Sequence, residues 1–418
     1  MYKKLIGLTA FVLIIKVAQA QFTQLPVIPA TVYNVNDYGA VADNKTVNTR
    51  AIQKALDAAK ATGGTVLIPA GDYLCGPLNL YSKTNLQIAK GATLRLRNDM
   101  DGFPAANGRY LNFINVAKAT DIKISGGGTI DGQGEVWWKA TEAKSLTLRR
   151  PQMLYMEGAQ RVEISGVTFL NPPNTHISLK NALDVYIHDI VIQAPTTSHN
   201  TDGINISAKN CTIEHCTINT GDDNIAINFG NKEQAENDPE VKNIVVKDCA
   251  FGYGHGLSIG SFTSGHLNNL LVSNCTFDGT TSAIRIKTAR GRGGVLSNVT
   301  YEGITIKNSR YPIFISEYYP HEPKTPQEDV ATAIGDHNPV YKNISLKNIT
   351  VTNSQEALII WGIPESPVQH IRLENVKISA KNGAQIYNVT NAEFINSSIE
   401  AASGEKLRVY RAGVTGLN

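Results

Sequence analysis

A nine-position pattern of apolar and polar residues recurs along most of the chain. The order in each copy is Asn, Asp or another polar residue, apolar, any, apolar, any, polar or Gly, apolar, any, apolar. The copies are RVEISGVTF (161–169), DVYIHDIVI (184–192), NCTIEHCTI (210–218), NIVVKDCAF (243–251), NLLVSNCTF (269–277), NVTYEGITI (298–306), NISLKNITV (343–351), HIRLENVKI (370–378) and NAEFINSSI (391–399), with looser copies from Asn85 and Asp121. Because side chains alternate along a strand, each copy predicts two short strands joined at a bend.

The spacing of the copies predicts an all-β fold, a right-handed parallel β-helix with one coil per copy. Such a solenoid exposes apolar backbone edges at its ends, which need a cover. The segment 48–62 (NTRAIQKALDAAKAT) has apolar residues at the spacing of an amphipathic helix and is followed by two glycines. We expect this helix to cap the N-terminal end of a single catalytic domain, residues 21–418.

Residues 1–20 have the pattern of a secretory signal peptide: Lys3 and Lys4, an apolar stretch, and the small-residue site Ala18-Gln19-Ala20. We therefore expect a secreted protein, either periplasmic, on the cell surface or extracellular. A formal net charge of +3 without a basic cluster argues against nucleic acid as a partner. No later segment is long and apolar enough to predict a membrane span.

The five cysteines do not have the pattern of a disulfide scaffold. Cys211, Cys216, Cys249 and Cys275 occupy apolar positions of the repeat. Buried free thiols are therefore the favoured interpretation, over a disulfide or a metal site.

A third strand lies between successive copies, and these strands align with one another. They read DGINI (202–206), DNIAI (223–227), HGLSI (255–259) and SAIRIK (282–287). Their Ile and Leu residues form two inward columns, so the residues between them face outward. Neighbouring coils lie about 4.8 Å apart. Asp202, Asp223 and His255 should therefore form one outward column, with Asp222 at the bend and Arg285 and Lys287 on the next coil.

Taken alone, Asp222-Asp223 is typical of a turn. Acids, a histidine and two cations in register on consecutive coils instead indicate a functional site. Glycoside hydrolysis with inversion needs one protonated carboxyl and one carboxylate that activates water. Arg285 and Lys287 suit a substrate that itself carries carboxylates. These residues predict an enzyme that acts on an acidic sugar polymer.

Four ordered motifs identify a resemblance. NTDG (200–203), GDD (221–223), GHG (254–256) and RIK (285–287) resemble those of glycoside hydrolase family 28, the polygalacturonases. GTIDGQGEVWW (128–138) resembles the family's entry motif. Residues 33–59 and 63–73 resemble the N-terminal cap of pectin-degrading β-helices, so the resemblance implies a pectin-lyase-like solenoid. It covers most of the mature chain.

The resemblance implies a role for each matched residue. Asp222 matches the general acid, and Asp202 and Asp223 match the pair that activates water. His255 matches the residue that supports the acid. The substrate-binding positions are matched by Arg285, Lys287, Asn200 and Tyr319, with Tyr318 as a neighbouring candidate for the last. The implied activity is hydrolysis of α-1,4-linked galacturonate in pectin by a monomer, without metal or cofactor.

The chain departs from the family pattern at two places. NPPNTHIS (171–178) has Asn174 where the family usually has an aromatic residue, and we expect His176 to be a packed β-helix residue. The segment 318–340 is a long Pro-rich and acidic insertion. Loops of this length are usually functional. We expect it to wall one end of the cleft, which would favour removal of sugars from a chain end, and the shorter loop 229–243 to line its rim.

Three alternatives stay open at this point. A rhamnogalacturonan or xylogalacturonan hydrolase would use the same scaffold. A pectate lyase would bind calcium and use an Arg or Lys base, whereas the acids here have the water-activating pattern. A non-catalytic polysaccharide-binding β-helix would present a stripe of aromatic side chains, which the sequence lacks.

Overall fold

The computed structural model describes residues 24–230 and 240–417. The predicted signal peptide and most of the loop 229–243 lie outside the described residues, so both stay predictions, as does the domain division. Among the residues described, no helix is long and apolar enough to cross a bilayer.

The chain winds into stacked coils whose strands pair in parallel with those of the next coil. The prediction of a mostly β, right-handed parallel β-helix is confirmed. One face carries the predicted third strands and is called the site face below. Its short strands are Leu78–Leu80, Ile114–Ala117, Leu154–Glu157, Ile225–Ile227, Leu257–Ile259, Ser282–Lys287, Tyr311–Ser316 and Ile359–Trp361.

The two strands of each repeat copy form the other faces. The second face has the separate strands Val32–Asn34, Gly64–Ile68, Thr84–Ile88, Thr120–Gly126, Gln160–Ser165, Glu240–Lys247 and His266–Ser273. The third face has Asp43–Val47, Gly71–Cys75, Ala92–Leu96, Thr129–Asp131, Thr168–Leu170, Val191–Gln193, Thr217–Asn219, Ala250–Phe251 and Thr276–Asp278. Longer strands run through the bends: Ile177–His188, Ile204–Glu214, Val295–Lys307, Val340–Ser354, Gln369–Ile395 and Ser398–Thr415. A small antiparallel pair joins Ala105–Ala106 to Arg109–Tyr110.

Columns of aliphatic side chains fill the interior of the coils. Ile204, Ile225, Leu257 and Ile284 are stacked partners in the strand register, and each is fully buried. All five cysteines are free and buried, so they pack as small apolar side chains. The bends of the repeat are occupied by Asn residues in the left-handed region, for example Asn210, Asn243 and Asn298, which tolerate this conformation.

A helix, Thr49–Thr62, covers the N-terminal end of the solenoid. It buries Ile52, Ala55, Leu56 and Ala59 against the first coils and ends at Gly63, whose φ is +74°. A 3-10 helix, Val35–Tyr38, packs beside it, and a second α-helix, Glu135–Glu142, follows the strand Thr129–Asp131. The predicted capping helix of residues 48–62 is thus present from Thr49.

Candidate active site

Two adjacent carboxyls and a histidine meet where one coil of the site face stacks on the next. Asp222 and Asp223 lie at the bend before Ile225–Ile227, and His255 occupies the matching position of the following coil. The Nδ1 atom of His255 is 3.0 Å from Oδ1 of Asp222 and 3.7 Å from Oδ1 of Asp223. The backbone N–H of His255 also donates to the carbonyl oxygen of Asp222 (2.9 Å). The predicted register therefore produces the predicted contact.

The GHG motif has a steric reason. Gly256 has a φ of +81°, and a Cβ atom there would lie 1.8 Å from the carbonyl oxygen of Ser282. Only glycine fits such a position. The sharp turn lets the chain enter the strand Leu257–Ile259 while the His255 side chain stays on the outer surface.

Asp223 is the most heavily paired acid of the site. Its Oδ1 accepts hydrogen bonds from Arg285 (2.9 Å) and the Ser258 hydroxyl (2.7 Å), and its Oδ2 accepts one from Lys287 (2.9 Å). The side chains of Asp223 and Lys287 are each only 7% exposed. Asp223 is therefore fixed in place and its charge is balanced by two cations.

Asp202 has a different environment. Its Oδ2 accepts one hydrogen bond, from the Asn205 amide (2.9 Å), and no cation contacts its carboxyl within the described chain. Burial, followed by the nearby charges of Asp222 and Asp223, raises the pKa of Asp202 to about 8. Asp202 is thus the carboxyl that holds a proton at neutral pH in this state.

Asp222 is shifted in the opposite direction. Burial favours its neutral form, but the hydrogen bond and the charge of His255 outweigh burial and lower the pKa of Asp222 to about 2. The backbone N–H and the side-chain amide of Asn200 also donate to its Oδ2 (3.2 and 3.3 Å). The Asp222 carboxyl is therefore held by His255 at Oδ1 and by Asn200 at Oδ2.

The Tyr319 ring lies against both cations of the site, Arg285 and Lys287. The Arg285 guanidinium carbon lies 5.6 Å, and the Lys287 amine 5.1 Å, from the centre of the Tyr319 ring. Tyr318, the neighbouring candidate, donates a hydrogen bond from its hydroxyl to Asp329 and packs on Trp361 instead. Seven of the predicted site residues are thus linked by direct or one-residue contacts: Asn200, Asp222, Asp223, His255, Arg285, Lys287 and Tyr319. The eighth, Asp202, is close enough for the charges of Asp222 and Asp223 to raise its pKa.

His176 is fully buried. Its ring nitrogens lie 2.9 Å from the carbonyl oxygen of Asp202 and 3.3 Å from that of Gln193. Burial lowers the pKa of His176 to about 4. His176 is thus a packed residue, as expected, and it fixes the backbone beneath Asp202.

Sequence reasoning missed three residues that support the acids. Ser258 and Asn205 lie at outward positions between buried neighbours, so the strand alternation could have identified them. Arg150 gives no such signal. Its guanidinium donates to the carbonyl oxygens of Pro173 (2.9 Å) and His199 (3.0 Å) and to Oδ1 of Asn200 (3.0 Å). Arg150 therefore orients the Asn200 amide toward Asp222.

The donor atoms of Asp222, Asp223 and His255 lie within 4.8 Å of one another, a spacing that metal sites also use. However, both oxygens of Asp223 already accept hydrogen bonds from cations, Arg285 on one and Lys287 on the other. Two fixed positive charges at this carboxylate oppose a divalent cation. The arrangement fits proton transfer better than metal binding.

The chain is similar to known proteins over most of its length. The profile of Glycosyl hydrolases family 28 matches residues 59–399. The endo-polygalacturonase of Pectobacterium carotovorum subsp. carotovorum is 34% identical over 374 residues, which are 84% of this chain and 88% of that protein. An exopolygalacturonase of Zea mays is 32% identical over 87% of this chain and 88% of its own length.

A solved structure has the same fold. The polygalacturonase from Erwinia carotovora ssp. carotovora superposes with a TM-score of 0.75 at 30% sequence identity, covering 89% of this chain and 99% of that one. The family profile spans most of the chain, and the relatives cover more than two thirds of it. The chain therefore belongs to glycoside hydrolase family 28.

Proposed function

We propose that this protein is a polygalacturonase, which hydrolyses α-1,4 bonds between galacturonate residues of pectin. The observation that supports this most is the placement of Arg285 and Lys287 beside the acids, together with family membership. A substrate with one carboxylate per sugar matches two cations at the point of cleavage. The relatives described above are an endo-polygalacturonase and an exopolygalacturonase.

In the proposed reaction, Asp222 donates its proton to the oxygen of the glycosidic bond as the bond from that oxygen to the sugar carbon breaks. A water molecule attacks the same carbon from the opposite side and gives a proton to the carboxylate of Asp202 or Asp223. The configuration at that carbon is inverted, as expected for a direct displacement by water. One water is consumed, and the proton lost by Asp222 is replaced by the one taken from water.

The reactive proton arrangement differs from that of the free site. Asp222 has to be protonated, and Asp202 has to be ionised if it is the carboxylate that accepts the proton of water, whereas the pKa of Asp202 is raised and that of Asp222 is lowered without substrate. Interacting carboxyls titrate as a group, so the protons redistribute when a neighbour changes. The Asp222–His255 pair supplies one route, because a proton on Nδ1 of His255 can transfer across their 3.0 Å contact.

Arg285, Lys287 and Tyr319 are proposed to bind the galacturonate on one side of the bond. Arg285 presents a planar fork and is half-buried, so it can pair with a carboxylate in a fixed orientation. Tyr319 is half-exposed and covers both cations, so its ring can contact a sugar face while it limits their movement. Asn200 is proposed to line the same region, through its contact with Asp222.

The insertion 318–340 is proposed to close the cleft beyond Tyr319. Asp329 is 3% exposed and anchors the insertion through Arg290 (3.1 Å), Asn388 (3.0 Å) and the Tyr318 hydroxyl. Arg290 also pairs with Glu365 (2.5 Å) on a later coil. These contacts hold the insertion against the outer surface of the solenoid. A fixed wall on this side predicts short products released from a chain end.

We further propose that the protein is secreted, because its first 20 residues have the pattern of a signal peptide. Pectic polymers lie outside the cell, so this location agrees with the proposed substrate. Comparison of the mature N-terminus with residue 21 in the exported protein tests this proposal.

The function is tested by digestion of polygalacturonic acid, followed by a reducing-sugar assay and by ultraviolet absorbance. Hydrolysis gives new reducing ends without an unsaturated uronate, whereas a lyase gives unsaturated products. Rhamnogalacturonan and xylogalacturonan are compared as substrates under the same conditions. Faster release of reducing ends from either of these polymers than from polygalacturonic acid, or products that absorb ultraviolet light, would overturn the proposal. Chromatography of the early products separates chain-end release from a ladder of oligomers.

A further inference from the structure

A basic pocket of about 450 Å³ lies on the side of the acids opposite Arg285 and Lys287. Arg109, Lys144, Arg149 and Arg150 line it, together with Asn174 and three uncharged residues, and none of its lining residues is acidic. The volume is within the range of sites for small molecules. Four cations around one cavity indicate an anionic ligand.

Three of the four cations of this pocket, Arg109, Lys144 and Arg149, have no acidic partner in the described chain, whereas Arg150 lies in the field of Asp202 and Asp222. Lys144 and Arg149 are exposed, and neither forms an ion pair in the part of the chain that the structure describes. The Nε atom of Arg109 is buried without a hydrogen-bond partner there. Glu157 lines the adjoining cavity but is paired with Lys180 (2.9 Å). The positive charge is therefore available to a ligand.

The pocket rests on a rigid support. The backbone N–H of Tyr110 donates to the carbonyl oxygen of Arg149 (3.0 Å), and the N–H of Arg149 donates to that of Gly108 (3.3 Å). Beneath this bridge, the Tyr110 ring packs on Phe103 (5.9 Å) and on the fully buried Trp137 (4.8 Å). Arg109 and Arg149 are thus presented from fixed backbone positions, which reduces the entropy cost of binding.

The pocket is adjacent to the acids. Arg150 lines the pocket and also donates to Oδ1 of Asn200, whose amide donates to Asp222. Arg150 and Asn174 belong to coils that precede Asp202, while Arg285 and Lys287 belong to a coil that follows it. A polymer that lies parallel to the axis of the solenoid would therefore run from this pocket, over the acids, to Arg285 and Lys287.

A second cavity, of about 560 Å³, shows the opposite charge. Asp131, Glu135 and Glu142 line it. Asp131 is paired with Arg95 (2.7 Å) and Glu135 with Lys139 (2.6 Å), which leaves Glu142 without an ion-pair partner in the described chain. An anionic chain is therefore attracted by the basic pocket and not by this cavity. The charges of the two cavities thus favour a substrate path through the basic pocket over a path through the second cavity.

We propose that the basic pocket is a second carboxylate-binding subsite, which takes a galacturonate on the side of the bond opposite Arg285 and Lys287. Lys144, Arg149 and Arg109 bind the sugar carboxylate, and Asn174 leaves room for it where an aromatic side chain would be larger. This rests on the proposed function. The subsite makes the enzyme prefer unesterified chains long enough to reach from Tyr319 to the pocket.

The test uses the full-length protein with Lys144 and Arg149 both replaced by Ala, and with Lys139→Ala as the matched control. Lys139 is exposed, lies near Lys144 in the sequence and lines the acidic cavity, so its removal changes the net charge without touching the basic pocket. Arg150 is kept, because it contacts Asn200. Initial rates are measured on unesterified galacturonate oligomers of increasing length, and hexagalacturonate binding is measured by calorimetry in the Asp222→Asn background.

The double variant is expected to lose roughly tenfold or more in kcat/KM on long oligomers and a similar factor in hexagalacturonate affinity, the effect of one lost charge-assisted contact. Activity on the shortest cleavable oligomer is expected to change less than about twofold, as is that of Lys139→Ala on all lengths. Equal losses on short and long oligomers, or unchanged hexagalacturonate binding, would overturn the subsite. If the wild-type protein cleaves no galacturonate oligomer, the proposed function fails, whereas the binding measurement still decides the subsite.

Discussion

Lys287 lies 2.9 Å from Asp223, although 64 residues separate them in the sequence. Both side chains are almost fully buried, and they belong to coils of the site face that are separated by one coil. A buried ion pair is often no more stable than apolar residues of the same volume. Its presence here therefore agrees with a role in substrate binding more than with one in stability.

Reversal of the Lys287 charge tests the proposed carboxylate contact. Lys287→Glu places a second acid beside Asp223 and removes a cation from the substrate site. We expect the KM for polygalacturonate to rise by roughly tenfold or more, the effect of losing one charge-assisted hydrogen bond. Lys377→Glu, an exposed position on another face, is the control and should leave KM unchanged. An unchanged KM in Lys287→Glu would contradict an acidic sugar at this position.

The raised pKa of Asp202 predicts a pH dependence of stability. The folded protein holds a proton on Asp202 up to about pH 8, whereas the unfolded chain releases it near the ordinary value of 3.8. The stabilising contribution is therefore complete below about pH 4 and is lost as the pH rises to 8. Asp222 acts in reverse, because its pKa of about 2 gives stability that is lost only as the pH falls from 4 toward 2.

Asp202→Asn removes the first of these two effects. We expect the melting temperature of this variant minus that of the wild type to increase as the pH rises from 4 to 8. Melting curves of both proteins at several pH values, at constant ionic strength, measure this difference. A constant difference across the range would show that Asp202 is ionised in the folded protein.

Chelation is expected to leave activity unchanged. Arg285 and Lys287 already balance the charge of Asp223, so the proposed reaction uses no cation at this carboxylate. The rate on polygalacturonate is measured after dialysis against EDTA, with and without added calcium. Loss of activity on chelation that calcium restores would favour a lyase-type or metal-assisted mechanism.

The wall that residues 318–340 are proposed to form depends on the buried side chain of Asp329. Asp329→Ala removes the partner of Arg290, Tyr318 and Asn388. Removing one member of a buried ion pair typically costs about 3–5 kcal/mol, so we expect a lower free energy of unfolding. We also expect longer early products, because the wall loses its attachment. Denaturant unfolding and product chromatography measure the two effects.

Asp336→Ala is the matched control for the anchor, because Asp336 is an exposed acid of the same insertion. It should change neither the stability nor the products. If Asp329→Ala lowers stability but leaves the early products unchanged, the insertion is anchored as described but does not close the cleft.

The fold and the alignment of the site residues could be predicted because the same alternation of apolar residues recurs in successive coils. One alternation of apolar residues says little, whereas aligned copies on successive coils fix which side chains face outward. This alignment alone places Asp202, Asp223 and His255 in one outward column, as the strand pairing does. The GHG motif gave a further indication, because Gly256 occupies a position where a side chain would clash with the backbone of the next coil.

Other features could not be predicted, because they depend on single long-range contacts. Arg150 reaches Asn200 from 50 positions away, and nothing in its local sequence shows this. Burial and the charges of Asp222 and Asp223 raise the pKa of Asp202, whereas His255 lowers that of Asp222, so the motif alone does not indicate which carboxyl keeps a proton. The basic pocket likewise combines residues from a hairpin, a helix end and two coils.

The most direct test of the account is the rate of reducing-end release from polygalacturonate by Asp222→Asn. Asn keeps the shape of the side chain but cannot donate the acidic proton, so we expect kcat to fall by roughly 10²- to 10⁴-fold while oligogalacturonate binding is retained. Circular dichroism and binding to hexagalacturonate confirm that the variant is folded. An Asp222→Asn protein that cleaves at the wild-type rate would contradict the proposed site.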